Sequence, residues 1–294
     1  MTRVAVVGSG NMGRVLTGIF LDAGHEVTVY DLDKSKTVAL AARGAKAVDT
    51  PLEVAQNADI TLLSIPTYAG AKSFLASDGV LAALKGKDIL QVTTGSPRDV
   101  KDFEKFLEGT GIGYLEGRIK NYPKDVGKDK PGSRVIYSGD ESLYEKHERL
   151  LDLLSEHYEF VGPKYEAAAI LDLAVFPSSY GLIWGLLLGG KLVKEYGYSV
   201  AQFGEMVSET VINTMRETLE GGYEDLERGE YRTDEGAAAI STWESGAGAV
   251  VDTLDDANLG TDIFVAINAL LRESIALGRG DKTIAAIAEL LGKK

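Results

Sequence analysis

The chain has no cysteine, which removes disulfides, a thiol nucleophile and any zinc–thiolate centre. Histidine is almost as scarce, and His25, His147 and His157 stand too far apart to suggest a metal cluster by spacing. Basic residues are in deficit, 31 against 44 acidic ones, for a net charge of −13. So acidic a protein lacks the basic face that nucleic acid requires and the polybasic segment that anchors a chain to anionic lipid. Near the start, the apolar run Val4–Val7 is too short for a secretory h-region. A cytoplasmic protein with neither nucleic acid nor membrane as partner is expected. One segment departs from this scarcity of long apolar runs: Leu173 to Gly190 carries no charge and approaches the length of a membrane helix. It contains Pro177, Ser178, Ser179 and several glycines between Asp172 and Lys191, so a helix buried on all sides in a soluble protein is the expectation.

What is present is the composition of a globular protein, 45% hydrophobic and 26% charged, and 294 residues favour two domains. Short β-rich runs alternate with helical patterns through the first half: Arg3–Val7, His25–Tyr30, Ile60–Ile65 and Asp88–Thr93 read as strands, Asn11–Ala23 and Ser35–Arg43 as helices. That alternation predicts a doubly wound parallel sheet, a Rossmann-type α/β domain, extended by strands over Ile112–Arg118 and Arg134–Ser138. From Tyr165 the pattern is helical only, over Tyr165–Tyr196, Val200–Leu219, Gly236–Leu254, Asp262–Leu277 and Thr283–Leu291. The expected organisation is a dinucleotide-binding domain over 1–162 and an all-α domain over 163–294, joined by a long interdomain helix.

Gly8-Ser9-Gly10-Asn11-Met12-Gly13 follows the first strand and opens the first helix. In this pattern the first glycine permits the tight turn, the second lets the backbone approach a pyrophosphate, and the third lets helix and strand pack closely. The helix N-terminus then offers free N–H groups to phosphate. Asp31 closes the second strand, where a carboxylate accepts both ribose hydroxyls of NAD and repels the 2′-phosphate of NADP. Asp33 adds negative charge, while Lys34, Ser35 and Lys36 offer either phosphate contacts or a solvated helix start. NADH is therefore favoured, with NADPH possible.

These first 31 residues, with Met12 in the loop and Ala-Gly-His-Glu-Val-Thr-Val-Tyr-Asp closing at Asp31, resemble the β-hydroxyacid dehydrogenase superfamily, the 6-phosphogluconate dehydrogenase-like proteins. The likeness runs on through Gln91–Pro97, similar to the strand and turn beside the nicotinamide, and Tyr114–Ile119, similar to the substrate loop with Glu116 for its usual Asp. It implies a cofactor set of Gly8, Ser9, Gly10, Asn11, Met12, Gly13, Asp31, Ser64, Ile65, Pro66 and Thr94. In the hydroxyacid dehydrogenases a catalytic lysine and, one turn later, an asparagine stand on the long helix. Here those positions hold Asp172 and Phe176. With Leu171-Asp172-Leu173-Ala174, Tyr180-Gly181 and Val135–Gly139, the chain looks like the imine reductase branch. It departs from that branch at Asp31-Leu32-Asp33, where an Asn-Arg-Thr run is usual, and at Lys120–Gly127, where an apolar segment is usual.

The exchange at 172 matters chemically. A lysine stabilises the alkoxide formed from a ketone, whereas a carboxylate favours an iminium cation. The resemblance implies an NAD(P)H-dependent reductase of a small-molecule imine, with Asp172 as the carboxylate. A buried acid satisfied by a partner is the alternative reading of that residue. Tyr180 is either a proton donor or a packing aromatic, and Trp184 a pocket wall or dimer core; Arg118, Lys120 and Phe176 complete the expected substrate set. Six basic residues with two acids between Arg118 and Arg134 read either as a receiver of an anionic substrate or as a solvated loop. The stripe Gly181, Gly185, Gly189 allows close helix approach; it reads as the seam of the intertwined homodimer that the resemblance implies, or as intrachain packing. A hydroxyacid dehydrogenase-type enzyme acting on a small carboxylic acid, with a donor such as Lys120, and a non-catalytic dinucleotide-binding protein are the rival readings.

Overall fold

The computed structural model describes residues 2–233 and 238–292, which divide by their contacts into two compact units, one ending at Ser178 and the other beginning at Ser179. The first unit is built on eight strands: β1 (Arg3–Val7), β2 (Glu26–Tyr30), β3 (Lys46–Ala47), β4 (Ile60–Leu63), β5 (Asp88–Gln91), β6 (Gly113–Ile119), β7 (Arg134–Gly139) and β8 (His157–Phe160). Their order is β3-β2-β1-β4-β5-β6-β7-β8. All neighbours are parallel except β6 and β7, which run antiparallel with Arg118 opposite Ile136. The sheet is therefore mostly rather than wholly parallel. The helices of this unit are α1 (Asn11–Asp22), α2 (Ser35–Ala42), α3 (Pro51–Gln56), α4 (Tyr68–Leu75), α5 (Val80–Leu84), α6 (Pro97–Leu107) and α7 (Glu141–Leu151), followed by the start of α8 (Glu166–Glu195).

Strand β1 shows why the sheet is doubly covered. Alternate side chains point to opposite faces, so Ala5 and Val7 join one apolar cluster while Val4 and Val6 join the other. A strand covered on both faces becomes a continuous apolar run rather than an alternating one. Helix starts are fixed by local chemistry. Ser96 and Asp99 form a capping box at α6, with Pro97 inside it, and Thr50 and Glu53 do the same at α3.

The second unit holds the rest of α8 with α9 (Val200–Met206), α10 (Ile212–Arg228), α11 (Ile240–Asp256) and α12 (Asp262–Ala276). The helix expected over Val200–Leu219 is interrupted by a π-helical turn at Val207–Val211. Here the hydroxyls of Ser208 and Thr210 donate to the carbonyls of Gly204 and Met206, a competition that loosens the helical ladder. Thr283–Leu291, expected as a helix, is a 3₁₀ segment over Ile284–Leu290. Gly236, expected to open a helix, lies outside the described residues.

The expectation of a helix buried on all sides at Leu173–Gly190 is corrected. Helix α8 is long and apolar enough to cross a membrane, yet only 6% of its apolar window is buried. Gly181 and Gly185 face open space, and Gly189 alone of the stripe meets a neighbour, the ring of Phe203. Among the described residues, packing against the chain's own C-terminal helices accounts for Gly189 of the stripe but not for Gly181 and Gly185.

Candidate active site

Along the C-terminal edge of the sheet lies a cleft of about 860 Å³, where the strand order reverses between β1 and β4, the position at which open α/β sheets bind ligands. Its lining includes Gly8, Gly10, Asn11, Met12, Gly13, Asp31, Ser64, Ile65, Pro66 and Thr94, so the structure gathers all but one of the expected cofactor residues. The exception is Ser9, fully buried behind the loop.

The loop is shaped for close approach. A Cβ on Gly8 would lie 2.2 Å from the Ser64 carbonyl oxygen, and one on Gly13 would lie 1.8 Å from the carbonyl oxygen of Gly8. Gly10 has nothing within 4 Å of such an atom and opens α1 without any side-chain cap. Its surface and the first N–H groups of α1 are thus left for an anion. The residues fit a dinucleotide: a glycine loop and uncapped helix start suit a pyrophosphate, and the Asp31 carboxylate lines the same cleft.

At the β2 end, the Asp31 carboxylate accepts the Ser9 N–H at 2.7 Å and the Asp33 N–H at 2.8 Å. The neighbouring cations are engaged. Lys34 pairs with Asp49 at 2.6 Å and Lys36 lies 3.7 Å from Asp31. The Ser35 hydroxyl donates to Asp33 and holds its carboxyl below the usual range.

At the β6 end, Arg118 stands in the strand expected over Ile112–Arg118, but its side chain is 1% exposed and pairs with the fully buried Glu116, so it is not a free receiver for an anionic substrate. It donates to the Thr93 carbonyl and, at 3.0 Å, to the Tyr68 hydroxyl. Tyr68 donates to Glu116 at 2.7 Å, and Tyr114 donates to its other oxygen. Burial pushes the Glu116 carboxyl up to about 7, against the pull of Arg118 and the two hydroxyls. Arg118 cannot receive an anionic substrate freely, because its charge is already consumed inside the sheet. The rest of the basic segment is also balanced in part, Lys128 by Asp152 and Arg134 by Glu159.

Asp172, on α8, is 4% exposed. Its Oδ1 is paired with Lys120, which donates also to its backbone carbonyl at 3.1 Å. Its Oδ2 lies 3.9 Å from Arg118 Nε. The Lys120 ammonium sits 5.7 Å from the centre of the half-buried Phe176 ring. Three expected substrate residues and one expected catalytic residue thus meet within the first unit. Tyr180 and Trp184 belong to the second unit and are exposed there.

Tyr68, Glu116 and the Lys120–Asp172 contact were not foreseen as a cluster. A signal was available, since Tyr114, Glu116, Arg118 and Lys120 alternate along one strand face.

Among the described residues no group of three acidic or histidine side chains is placed to hold a metal. Residues 3–162 match the family model described as the NAD binding domain of 6-phosphogluconate dehydrogenase, and residues 165–293 match the NADPH-dependent reductive aminase-like C-terminal domain. The NADPH-dependent reductive aminase of Aspergillus oryzae is 24% identical over 97% of this chain and 96% of its own length. The imine reductase from Myxococcus stipitatus in complex with NADP+ superposes with a TM-score of 0.93 at 25% identity, over 99% of this chain and all of its own. That from Pseudomonas sp. gives 0.90 at 26% identity, over 99% of both chains. With a nucleotide domain and a C-terminal half both matched, the chain belongs to the 6-phosphogluconate dehydrogenase-type NAD-binding family, in its imine reductase and reductive aminase branch.

Proposed function

We propose that the chain is a cytoplasmic NAD(P)H-dependent reductase of C=N bonds, converting a small-molecule imine to an amine. The observation that carries this reading is the buried Asp172 carboxylate, on the helix position where the hydroxyacid dehydrogenases have a lysine. A negative group there stabilises an iminium nitrogen rather than an alkoxide. The dinucleotide supplies the hydride. Gly8–Gly13 and the α1 N-terminus would hold its pyrophosphate, with Ser64 to Pro66 and Thr94 lining the same cleft. Arg118, fixed by Glu116 and the Thr93 carbonyl, ties β6 to that end of the cleft.

NADH is the better donor in this proposal. Asp31 and Asp33 repel a 2′-phosphate, and the cations Lys34 and Lys36 already have acidic neighbours. The apolar surface at Leu182, Ile183, Trp184 and Leu186 is covered by a second copy rather than by lipid. Support comes from the glycines that open α8 to close approach and from Asp172, a charge on the same helix that pairs with Lys120 beyond the end of β6. Tyr180 and Trp184 then serve the dimer's site.

A second reading has an observation of its own. Lys120 brings to Asp172 the ammonium that hydroxyacid dehydrogenases carry on the helix, which suits reduction of a small oxo acid. Turnover of NADH with a cyclic imine and with glyoxylate distinguishes the two. Imine turnover without glyoxylate turnover is expected, and the reverse pattern transfers the enzyme to the hydroxyacid class.

A further inference from the structure

The charges around Asp172 balance before any substrate arrives. Glu116 offsets Arg118, and Lys120 offsets Asp172. A permanent iminium cation entering this site meets a carboxylate already taken and an ammonium of its own sign. A neutral imine meets neither obstacle, and needs a proton before hydride addition is easy.

Asp172 acts as an acceptor, taking the Lys120 ammonium. Arg118 holds its protons at all working pH values. Glu116 is fully buried behind Arg118, and the hydroxyls of Tyr68 and Tyr114 are spent on it. Lys120 differs from all of these. Its side chain is 18% exposed, it extends from the end of β6 beside Ile119 of the cleft wall, and it can give up a proton reversibly.

Resting on the imine-reductase reading, we propose that Lys120 is the proton donor to the nitrogen of an uncharged imine, so that the substrate class is neutral, protonatable imines rather than quaternary iminium salts. One N–H bond of the ammonium breaks and one N–H bond forms on the imine nitrogen, leaving a neutral lysine amine and an iminium. The iminium takes the place of the ammonium at Asp172, so the buried carboxylate keeps a cation up to the moment of hydride addition. Hydride addition at carbon then gives a neutral amine, and solvent returns the proton to Lys120. Phe176, stacked near the ammonium, offers its ring face to either cation in turn.

The test compares a cyclic imine, at a pH where it is unprotonated, with its N-methyl iminium salt, as the ratio of their kcat/KM values. Lys120→Arg keeps a cation beside Asp172 but cannot release a proton, and Lys120→Met removes both. The imine-to-iminium ratio is expected to fall by ~10²-fold in Lys120→Arg, within the usual range for a lost general acid. An unchanged ratio in that variant overturns the proposal. A second readout needs no turnover. Calorimetric titration with a cyclic quaternary ammonium ion is expected to give at least ~10-fold tighter binding to Lys120→Met than to the parent chain, as a freed carboxylate demands. Equal affinity overturns the claim that the ammonium holds the cation's place. If the parent chain turns over neither substrate, the reductase reading itself fails, a result distinct from an unchanged ratio.

Discussion

Arg118 and Trp184 mark the contrast between the two units. In the first, a guanidinium is among the largest fully buried side chains, while in the second an indole is 57% exposed. Up to Ser178, two extensive apolar clusters cover both faces of the sheet, and the charges inside have partners. From Ser179 on, the single described cluster centres on Ile240, Leu271 and Ala286, and large apolar side chains lie open along α8. Exposed apolar area on this scale marks an interaction surface. The first unit closes its core within one chain, and the second, in the proposed dimer, would share its apolar surface with another copy. Chemistry should depend on the first, and assembly on the second.

The strongest attempt to break that division is Asp172→Asn, which keeps shape and removes charge. Imine turnover is expected to fall by ~10²–10³, while NADH binding by fluorescence and oligomeric state by light scattering stay as they were. A variant that loses assembly instead would place Asp172 in the wrong category. The converse is Gly185→Leu. Overpacking at the seam should cost ~1–3 kcal/mol, shifting light scattering toward monomer or aggregate with NADH binding intact. A fully assembled variant returns the stripe to some other use.

Asp31→Asn sharpens the comparison within the first unit. Loss of a charged acceptor for the ribose and of repulsion toward the 2′-phosphate should narrow the NADH:NADPH ratio of kcat/KM by about tenfold. A parent chain that prefers NADPH tenfold would overturn the assignment. The smallest effect concerns Glu116. Its raised carboxyl binds a proton more tightly in the fold than in the unfolded chain, so the stability it contributes is present below pH 4.5 and lost as pH rises through about 7. Between those limits Tm of the parent chain should fall by a few degrees more than that of Glu116→Gln, at ~2–4 °C per kcal/mol. Parallel curves would show that Glu116 stays ionised throughout.

Local patterns carried much of this into the sequence. The Gly8–Gly13 loop, Asp31 and the buried strands were legible because each rests on neighbours along the chain. Strand β3 has only two residues, both exposed, and β8 alternates polar and apolar residues outside any long run, so neither leaves a hydrophobic signature. The reversal at β7 is a matter of topology, which residue periodicity does not encode. Asp172 was legible as a position, but its partner was not, since Lys120 lies 52 residues earlier. Whether a charge is free or consumed depends on such distant pairs. For Arg118 the ion-pair partner is local, Glu116, and what the sequence did not display is the burial of both.

Asp31 has a consequence for how this protein can change. One of its oxygens is committed to the Ser9 N–H, so the residue proposed to read the cofactor also ties the glycine loop to β2. A lineage adapting to the phosphorylated dinucleotide cannot simply discard the acid. Replacement by a small or basic side chain would free the loop at the same moment that it admits the phosphate, and the early intermediates would bind both cofactors poorly. Asparagine keeps an acceptor for the Ser9 N–H while dropping the charge, so it is the replacement that spares the loop, ahead of any basic one. Historical drift and laboratory selection face the same order of steps.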